Sequence, residues 1–192
     1  MTWGLIIGVA IAAALVYGYR VHTRDSRHLV GLFADLAAAH DGELKPASFV
    51  ALPQLRFEQD DRRVLVTAMA SSGAQTGNDG PFTVVELELP FDSGGKVRAT
   101  HRTGGRLGGQ AETGHDSFDA AFRVEWSDPA LGAVVLDPNV RWALLQSTLH
   151  GLDVRVVGHK VTVLADGIAG TKADLDAMIA IATLVADRCP RH

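Results

Sequence analysis

The residues of this chain whose types and spacing suit acid–base chemistry are His115, Asp116 and Asp119. Two carboxylates beside an imidazole can share proton-transfer work if their surroundings move their pKa values apart. The same residues also suit the start of a helix, because Asp116 can cap it and Asp119 lies in its first turn, where negative charge favours the helix dipole. The sequence therefore predicts a polar cluster at 115–119, with helix capping as the favoured role and acid–base catalysis as the alternative.

The remaining candidates for chemistry do not form recognisable motifs. The eight histidines include no His-x-x-x-His or His-x-His pair, and a single cysteine cannot build a thiolate zinc site. There is no Gly-x-Ser-x-Gly motif for a serine hydrolase. The Gly-rich stretch 103–114 lacks the Gly-Lys-Ser/Thr of a Walker motif, which favours an exposed loop over a phosphate cradle. We therefore predict no catalytic residue, no metal site and no cofactor.

The N-terminal segment carries no charged side chain from Trp3 to Tyr19, and the arginines Arg20, Arg24 and Arg27 follow at once. An apolar run of this length is at the lower limit of about 17 residues for a membrane-spanning helix. A cleaved signal peptide would need positive charge before the run and a small-x-small cleavage site after it. By the positive-inside rule, the arginines act as topology determinants that leave the N-terminus outside and the rest of the chain in the cytoplasm. The pattern predicts a single-pass protein of the bacterial inner membrane.

Small residues recur every four positions in this segment, at Gly4, Gly8 and Ala12. Such spacing lets two membrane helices approach closely, so this face could pair two copies into a homodimer within the lipid bilayer; the favoured alternative is that Gly and Ala are simply common in membrane helices. The net charge of −4 argues against nucleic acid as a partner, and the chain beyond the arginines that flank the predicted membrane helix is more acidic still.

The rest of the chain alternates between strand and helix patterns. Apolar residues at helical spacing predict an amphipathic helix that ends near His40 and buries Leu29, Leu32, Phe33 and Leu36. Strands are predicted from alternating or β-branched runs at 54–58, 63–70, 82–89, 96–101, 122–126, 154–157 and 160–164. Further helices are predicted from Asp116, from Asp137-Pro138 and from Thr171, where capping residues stand. Short turns between the strands predict an antiparallel sheet.

The segment TGHDSFDAAF, residues 113–122, resembles a segment of an uncharacterised bacterial family. Members of that family join N-terminal hydrophobic helices to a cytoplasmic domain with a Gly-x-x-x-Phe-Asp-x-x-Phe motif, which is matched here by Gly114, Phe118, Asp119 and Phe122. The resemblance covers roughly the last 80 residues through a short motif. It implies a domain of unknown function and adds no catalytic residue.

Together these patterns predict an α+β fold, in which an N-terminal transmembrane helix precedes one domain with a mostly antiparallel sheet packed by helices. The predicted divisions are the transmembrane helix at 3–19, a basic flank and amphipathic helix at 20–47, and a cytoplasmic domain at 48–192. The favoured function is a membrane-tethered, non-enzymatic binding or scaffold module for an unknown protein partner. One alternative is an enzyme for a membrane-proximal or small polar substrate, with 103–114 as a lid. A second alternative is an envelope or lipid-binding domain outside the cytoplasm.

Overall fold

The computed structural model describes residues 26–48, 52–69, 81–102 and 111–191 of the 192-residue chain. Within these ranges the chain forms five helices and eight strands. The helices are α1 (residues 26–40), α2 (Asp116–Ala121), α3 (Pro129–Val135), α4 (Pro138–Gln146) and α5 (Lys172–Ala186). The strands are β1 (Glu43–Lys45), β2 (Gln54–Gln59), β3 (Arg62–Met69), β4 (Phe82–Glu88), β5 (Lys96–His101), β6 (Phe122–Trp126), β7 (Asp153–Val157) and β8 (Lys160–Asp166).

The eight strands form one antiparallel sheet in the order β1-β2-β3-β4-β8-β7-β5-β6. Two tight hairpins are encoded locally. At the first, Asp60 and Asp61 both have positive φ values, 51° and 59°, which a short hairpin turn requires and which aspartate tolerates better than most residues. At the second, Gly158 and His159 join β7 to β8. The β7–β8 hairpin inserts between β4 and β5, so the sheet does not follow the order of the chain.

One face of the sheet packs against the helices. On β3, for example, Val64, Val66 and Ala68 alternate with residues of the other face and join the main core. The predicted stripe of α1 supplies Leu29 and Phe33, which are both 0% exposed, to the same core. Fully burying one such side chain is worth about 1.5–3 kcal/mol, so the helix layer and this face of the sheet hold each other in place.

Two aspartates, Asp128 and Asp137, are the N-cap residues of α3 and α4. The Asp128 carboxylate accepts from the Ala130 amide at 2.9 Å, and the Asp137 carboxylate accepts from the Val140 amide at 2.8 Å. Proline follows each of them at the start of its helix, where a missing N–H costs nothing. The sequence analysis predicted the second of these helices but not α3 or the three-residue β1. It also extended α4 to about residue 150, whereas the chain leaves the helix at Ser147, where ψ is 132°.

The start of α5 carries a reciprocal pair of hydrogen bonds. The Asp174 amide donates to Thr171 Oγ1 at 3.2 Å, and the Thr171 amide donates to Asp174 Oδ2 at 2.9 Å. This capping box satisfies two backbone donors that the helix itself leaves unpaired, as the sequence analysis predicted.

Replacing Thr171 by alanine is expected to lower the free energy of unfolding by about 1 kcal/mol, because the box loses its hydroxyl acceptor. Urea unfolding monitored by circular dichroism measures this change, and Lys172→Ala in the same turn is the matched control. An unchanged unfolding midpoint for Thr171→Ala would mean that the box does not stabilise the domain.

The predicted fold class needs correction at its N-terminal end. Among the described residues no helix is long and apolar enough to cross a membrane. Helix α5, for example, spans 15 residues, whereas a membrane-spanning helix needs about 20. The predicted transmembrane helix at 3–19 lies outside the described residues. We therefore correct the predictions of a transmembrane helix, of a single-pass protein and of an inner-membrane location: they depended on an apolar run at the lower limit of length, and no described helix supports them.

Candidate functional site

The side of the sheet that faces away from the helices, called the open face below, carries most of the polar side chains of the strands. Residues whose side chains point the same way pair across each ladder, so the strand registers arrange them in rows. One row crosses all eight strands and contains Glu43, Arg56, Leu65, Glu86, Thr162, Arg155, Arg98 and Glu125. Its two ends differ in chemistry, and they define two polar regions.

A cleft of about 780 Å³, called the polar cleft below, lies across β1 to β4 and reaches β8. Its charged lining is mixed and consists of Asp41, Glu43, Glu58, Glu86, Glu88, Arg56, Arg63 and Lys160. Lys160 Nζ lies 3.1 Å from Glu86 Oε2, and at one end the His40 ring stacks on Phe57 with centroids 4.5 Å apart. Carboxylate acceptors alternate here with cationic donors in a volume typical of a small-molecule site.

The other polar region centres on Asp153, whose side chain is 1% exposed. Arg98 on β5 and Arg155 on β7 are direct cross-strand partners, and both donate to this carboxylate. Arg98 Nη2 lies 2.6 Å and Arg155 Nη2 lies 2.7 Å from Asp153 Oδ2, and each Nε also contacts the carboxylate. We call Arg98 and Arg155 the arginine pair.

Electrostatics holds this group in one ionisation state. Burial by itself raises the pKa of Asp153, but the hydrogen bonds and charges of Arg155 and Arg98 outweigh it, and the pKa lies below the ordinary 3.8. The hydrogen bond to Asp153 raises the pKa of Arg98 in turn. Like charges directly opposite each other across two strands are destabilising, so the ionised carboxylate is what makes the arginine pair tolerable.

An apolar cluster of Phe82, Val84 and Leu164 lies on the same face, in the rows next to Glu86 and Arg155, and is distinct from the main core. All three are at most 8% exposed, and Leu164 is the register partner of Asp153. Met69, the register partner of Phe82, is 51% exposed. The open face therefore carries apolar as well as polar side chains, and of these four apolar residues Met69 is the exposed one.

The structure brings the predicted polar cluster together at the start of α2. The Asp119 carboxylate is buried and accepts from the Thr113 hydroxyl at 2.9 Å, from the Thr113 amide at 3.1 Å and from the His115 amide at 3.3 Å. Burial by itself would raise the pKa of Asp119, but these hydrogen bonds outweigh it and lower the pKa. His115 and Asp116 are exposed. A lowered pKa suits a permanent acceptor, whereas a general acid at neutral pH needs a raised one.

The capping role predicted for Asp116 is wrong. The N-cap of α2 is His115, which makes no side-chain capping bond, and Asp116 is the first residue of the helix. The carboxylate that holds this turn is Asp119, because it reaches back to the amides that precede the helix.

Most other predicted site residues lie outside the described part of the chain. These are the helix-pairing residues Gly4, Gly8 and Ala12 and the topology determinants Arg20 and Arg24. Arg27 is described and lies exposed on α1. The bilayer and a homodimer through a transmembrane helix are not shown. Across the described ranges, no three His, Cys, Asp or Glu side chains are grouped so as to hold a metal ion.

The cysteine, Cys189, is buried after the end of α5, and its thiol lies 3.5 Å from the Val185 carbonyl oxygen. Burial raises the pKa of Cys189 to about 11. The thiol is therefore protonated at neutral pH, which is the state of a structural side chain rather than of a nucleophile.

Arg98, Asp153 and Arg155 were not among the site residues predicted from the sequence. The available signal was the alternation of polar with valine and alanine residues at 96–101 and 153–157, which places the three side chains on one side of their strands. Alternation cannot show that the two strands are neighbours, because 55 positions separate Ala99 from its partner Val154, far more than a hairpin spans.

A search of solved structures finds the same fold in the crystal structure of the mycobacterial trehalose monomycolate transport factor A, TtfA. The two chains share a fold. The TM-score is 0.63 at 10% sequence identity, and the match covers 88% of this chain and 97% of that chain. No protein-family model and no curated protein matches the sequence. The resemblance to the uncharacterised family therefore stays a prediction.

Proposed function

We propose that this chain is a non-enzymatic module that binds an envelope lipid through the open face, with the sugar-type headgroup in the polar cleft. The observation that carries the proposal is the fold shared with TtfA, whose name gives a trehalose ester of a fatty acid as the molecule transported. Among the three functions considered from the sequence, this likeness favours the envelope or lipid-binding domain.

The lining of the polar cleft supports this ligand class. A sugar headgroup presents many hydroxyl groups and no charge, so it needs closely spaced acceptors and donors rather than one dominant charge. Arg56 and Glu58 lie two positions apart on the same face of β2, and their exposed side chains supply a donor and an acceptor to the cleft. The exposed Met69 side chain on the same face offers an apolar contact to a ligand that joins a polar headgroup to an apolar chain.

The test is co-sedimentation of the full chain with phosphatidylcholine vesicles that contain trehalose monomycolate, against vesicles of phosphatidylcholine alone. We expect retention on the glycolipid vesicles, and competition by free trehalose. The double variant Arg56→Ala/Glu58→Ala removes one donor and one acceptor from the cleft without changing the net charge. It is expected to lose about 10-fold or more in affinity, the cost of about two lost hydrogen bonds.

The matched control is Arg27→Ala/Asp35→Ala on α1, which makes the same change of composition at exposed positions of the helix layer. It is expected to bind like the wild type. Equal retention on both kinds of vesicle, or equal losses in the two double variants, would overturn the proposal.

A further inference from the structure

The geometry points to a binding site for a phosphate-type anion at the arginine pair, Arg98 and Arg155. This inference goes beyond the proposed function, because it concerns the other half of the open face and a ligand of different chemistry. It also rests on different residues, so either one can fail while the other stands.

The arginine pair keeps hydrogen-bond donors in reserve. A guanidinium has five N–H donors, and each arginine directs its Nε and one Nη2 donor at Asp153. Within the described part of the chain no other acceptor is bonded to either guanidinium, so about three donors on each remain for a ligand. Adjacent guanidiniums of this kind match the oxygen spacing of a phosphate group.

The surroundings of the pair carry excess positive charge. The open-face side chains of β7, β5 and β6 include four cations, Lys96, Arg98, Arg123 and Arg155, against two carboxylates, Asp153 and Glu125. One of these carboxylates is 1% exposed and already shared by the arginine pair. The chain as a whole has a net charge of −4, whereas this region has a positive charge. Anions are therefore attracted to this region rather than to the protein surface in general.

The donors are also held in place before a ligand arrives. The side chains of Arg98 and Arg155 are 22% and 23% exposed, and both are anchored on a carboxylate inside the sheet surface. A free surface arginine loses rotamer freedom when it binds an anion, whereas an anchored one has already lost it. Burying Asp153 beneath the arginine pair therefore orients both guanidiniums for anion recognition and offsets one of their two positive charges.

The site is tested with the full chain and two probes, inorganic phosphate and vesicles that contain phosphatidylglycerol in phosphatidylcholine. Calorimetric titration measures the first, and co-sedimentation measures the second. Arg155→Gln is expected to weaken phosphate binding about 10-fold or more, the effect of losing charge-assisted hydrogen bonds. Arg123→Gln, an equal loss of charge on the neighbouring strand, is the matched control and is expected to change affinity less than about 3-fold, as screened surface charges do.

Arg155→Lys keeps the charge and a partner for Asp153 but loses the planar fork, so it tests the geometry even if Arg155→Gln does not fold. It is expected to bind phosphate several-fold more weakly than the wild type. If the wild type binds both phosphate and the vesicles, and the variants lose both kinds of binding, the site recognises a lipid headgroup. If the wild type binds phosphate but not the vesicles, and the variants lose phosphate binding, the site recognises a free phosphate compound. Absence of phosphate binding by the wild type, or an equal loss in Arg123→Gln, overturns the inference.

Discussion

Replacing Asp153 by alanine is expected to lower the free energy of unfolding by about 3–5 kcal/mol, which is the cost of removing one partner from a buried ion pair. The variant leaves Arg98 and Arg155 directly opposite each other on neighbouring strands with no carboxylate between them. It also removes the acceptor beneath both guanidiniums from a position that is 1% exposed. Urea unfolding at neutral pH measures the effect.

The pH dependence of this difference provides a second measurement. Since the pKa of Asp153 is lowered on folding, its contribution is fully present above the ordinary value of 3.8 and is lost as the pH falls through the folded-state pKa. The gap in stability between the wild type and Asp153→Ala should therefore be constant at higher pH and shrink below about pH 4.

The control for Asp153→Ala is Asp176→Ala on α5, which breaks an exposed ion pair with Lys172 at 2.6 Å. Exposed pairs four residues apart on a helix contribute about 0.3–0.5 kcal/mol. If both variants lose the same small amount, Asp153 does not hold the arginine pair together in the way that the structure describes.

Replacing Phe118 by alanine is also expected to cost about 3–5 kcal/mol, because the change opens a cavity in the core. Phe118 is 0% exposed, and its ring stacks on Phe122 with centroids 4.8 Å apart and planes inclined by 12°. The two rings connect the short helix α2 to β6, which continues directly from it. Thermal unfolding of the variant measures the loss.

The matched control is Trp142→Ala on α4, which removes a larger ring that is 66% exposed. It is expected to change stability by less than about 1 kcal/mol, since little apolar area returns to water. Comparable losses in Phe118→Ala and Trp142→Ala would contradict the placement of Phe118 in the core.

The structure explains three positions of the Gly-x-x-x-Phe-Asp-x-x-Phe segment. Phe118 and Phe122 are packing residues, and Asp119 is the acceptor that closes the turn before the helix.

The comparison with TtfA limits how far function can be carried from fold. At 10% identity the shared architecture passes no side chain from one protein to the other. The geometry of the polar cleft and of the arginine pair belongs to this chain alone, whereas the ligand class proposed for the cleft also rests on the shared fold. Their experiments use separate variants on opposite halves of the open face, so the outcome at one site does not decide the other.

Local features of this protein could be predicted from its sequence because they depend on neighbouring residues. The capping box of Thr171 and Asp174 and the Asp137-Pro138 helix start need only the next few backbone amides. Strand positions follow from side-chain alternation, which is why the predicted 96–101 and the observed β5 agree. The predicted membrane helix depended on hydropathy and length alone, with a run at the lower limit of length, and no described helix supports it.

Tertiary structure alone decided which strands became neighbours. Insertion of the β7–β8 hairpin between β4 and β5 set Arg155 opposite Arg98, and it placed the Asp153 carboxylate where both guanidiniums reach it. Side-chain alternation assigns a residue to one face of its own strand, but it carries no information on the strand that lies beside it. The sequence by itself therefore determined the elements and their buried sides, whereas long-range pairing of the strands determined the candidate sites on the open face.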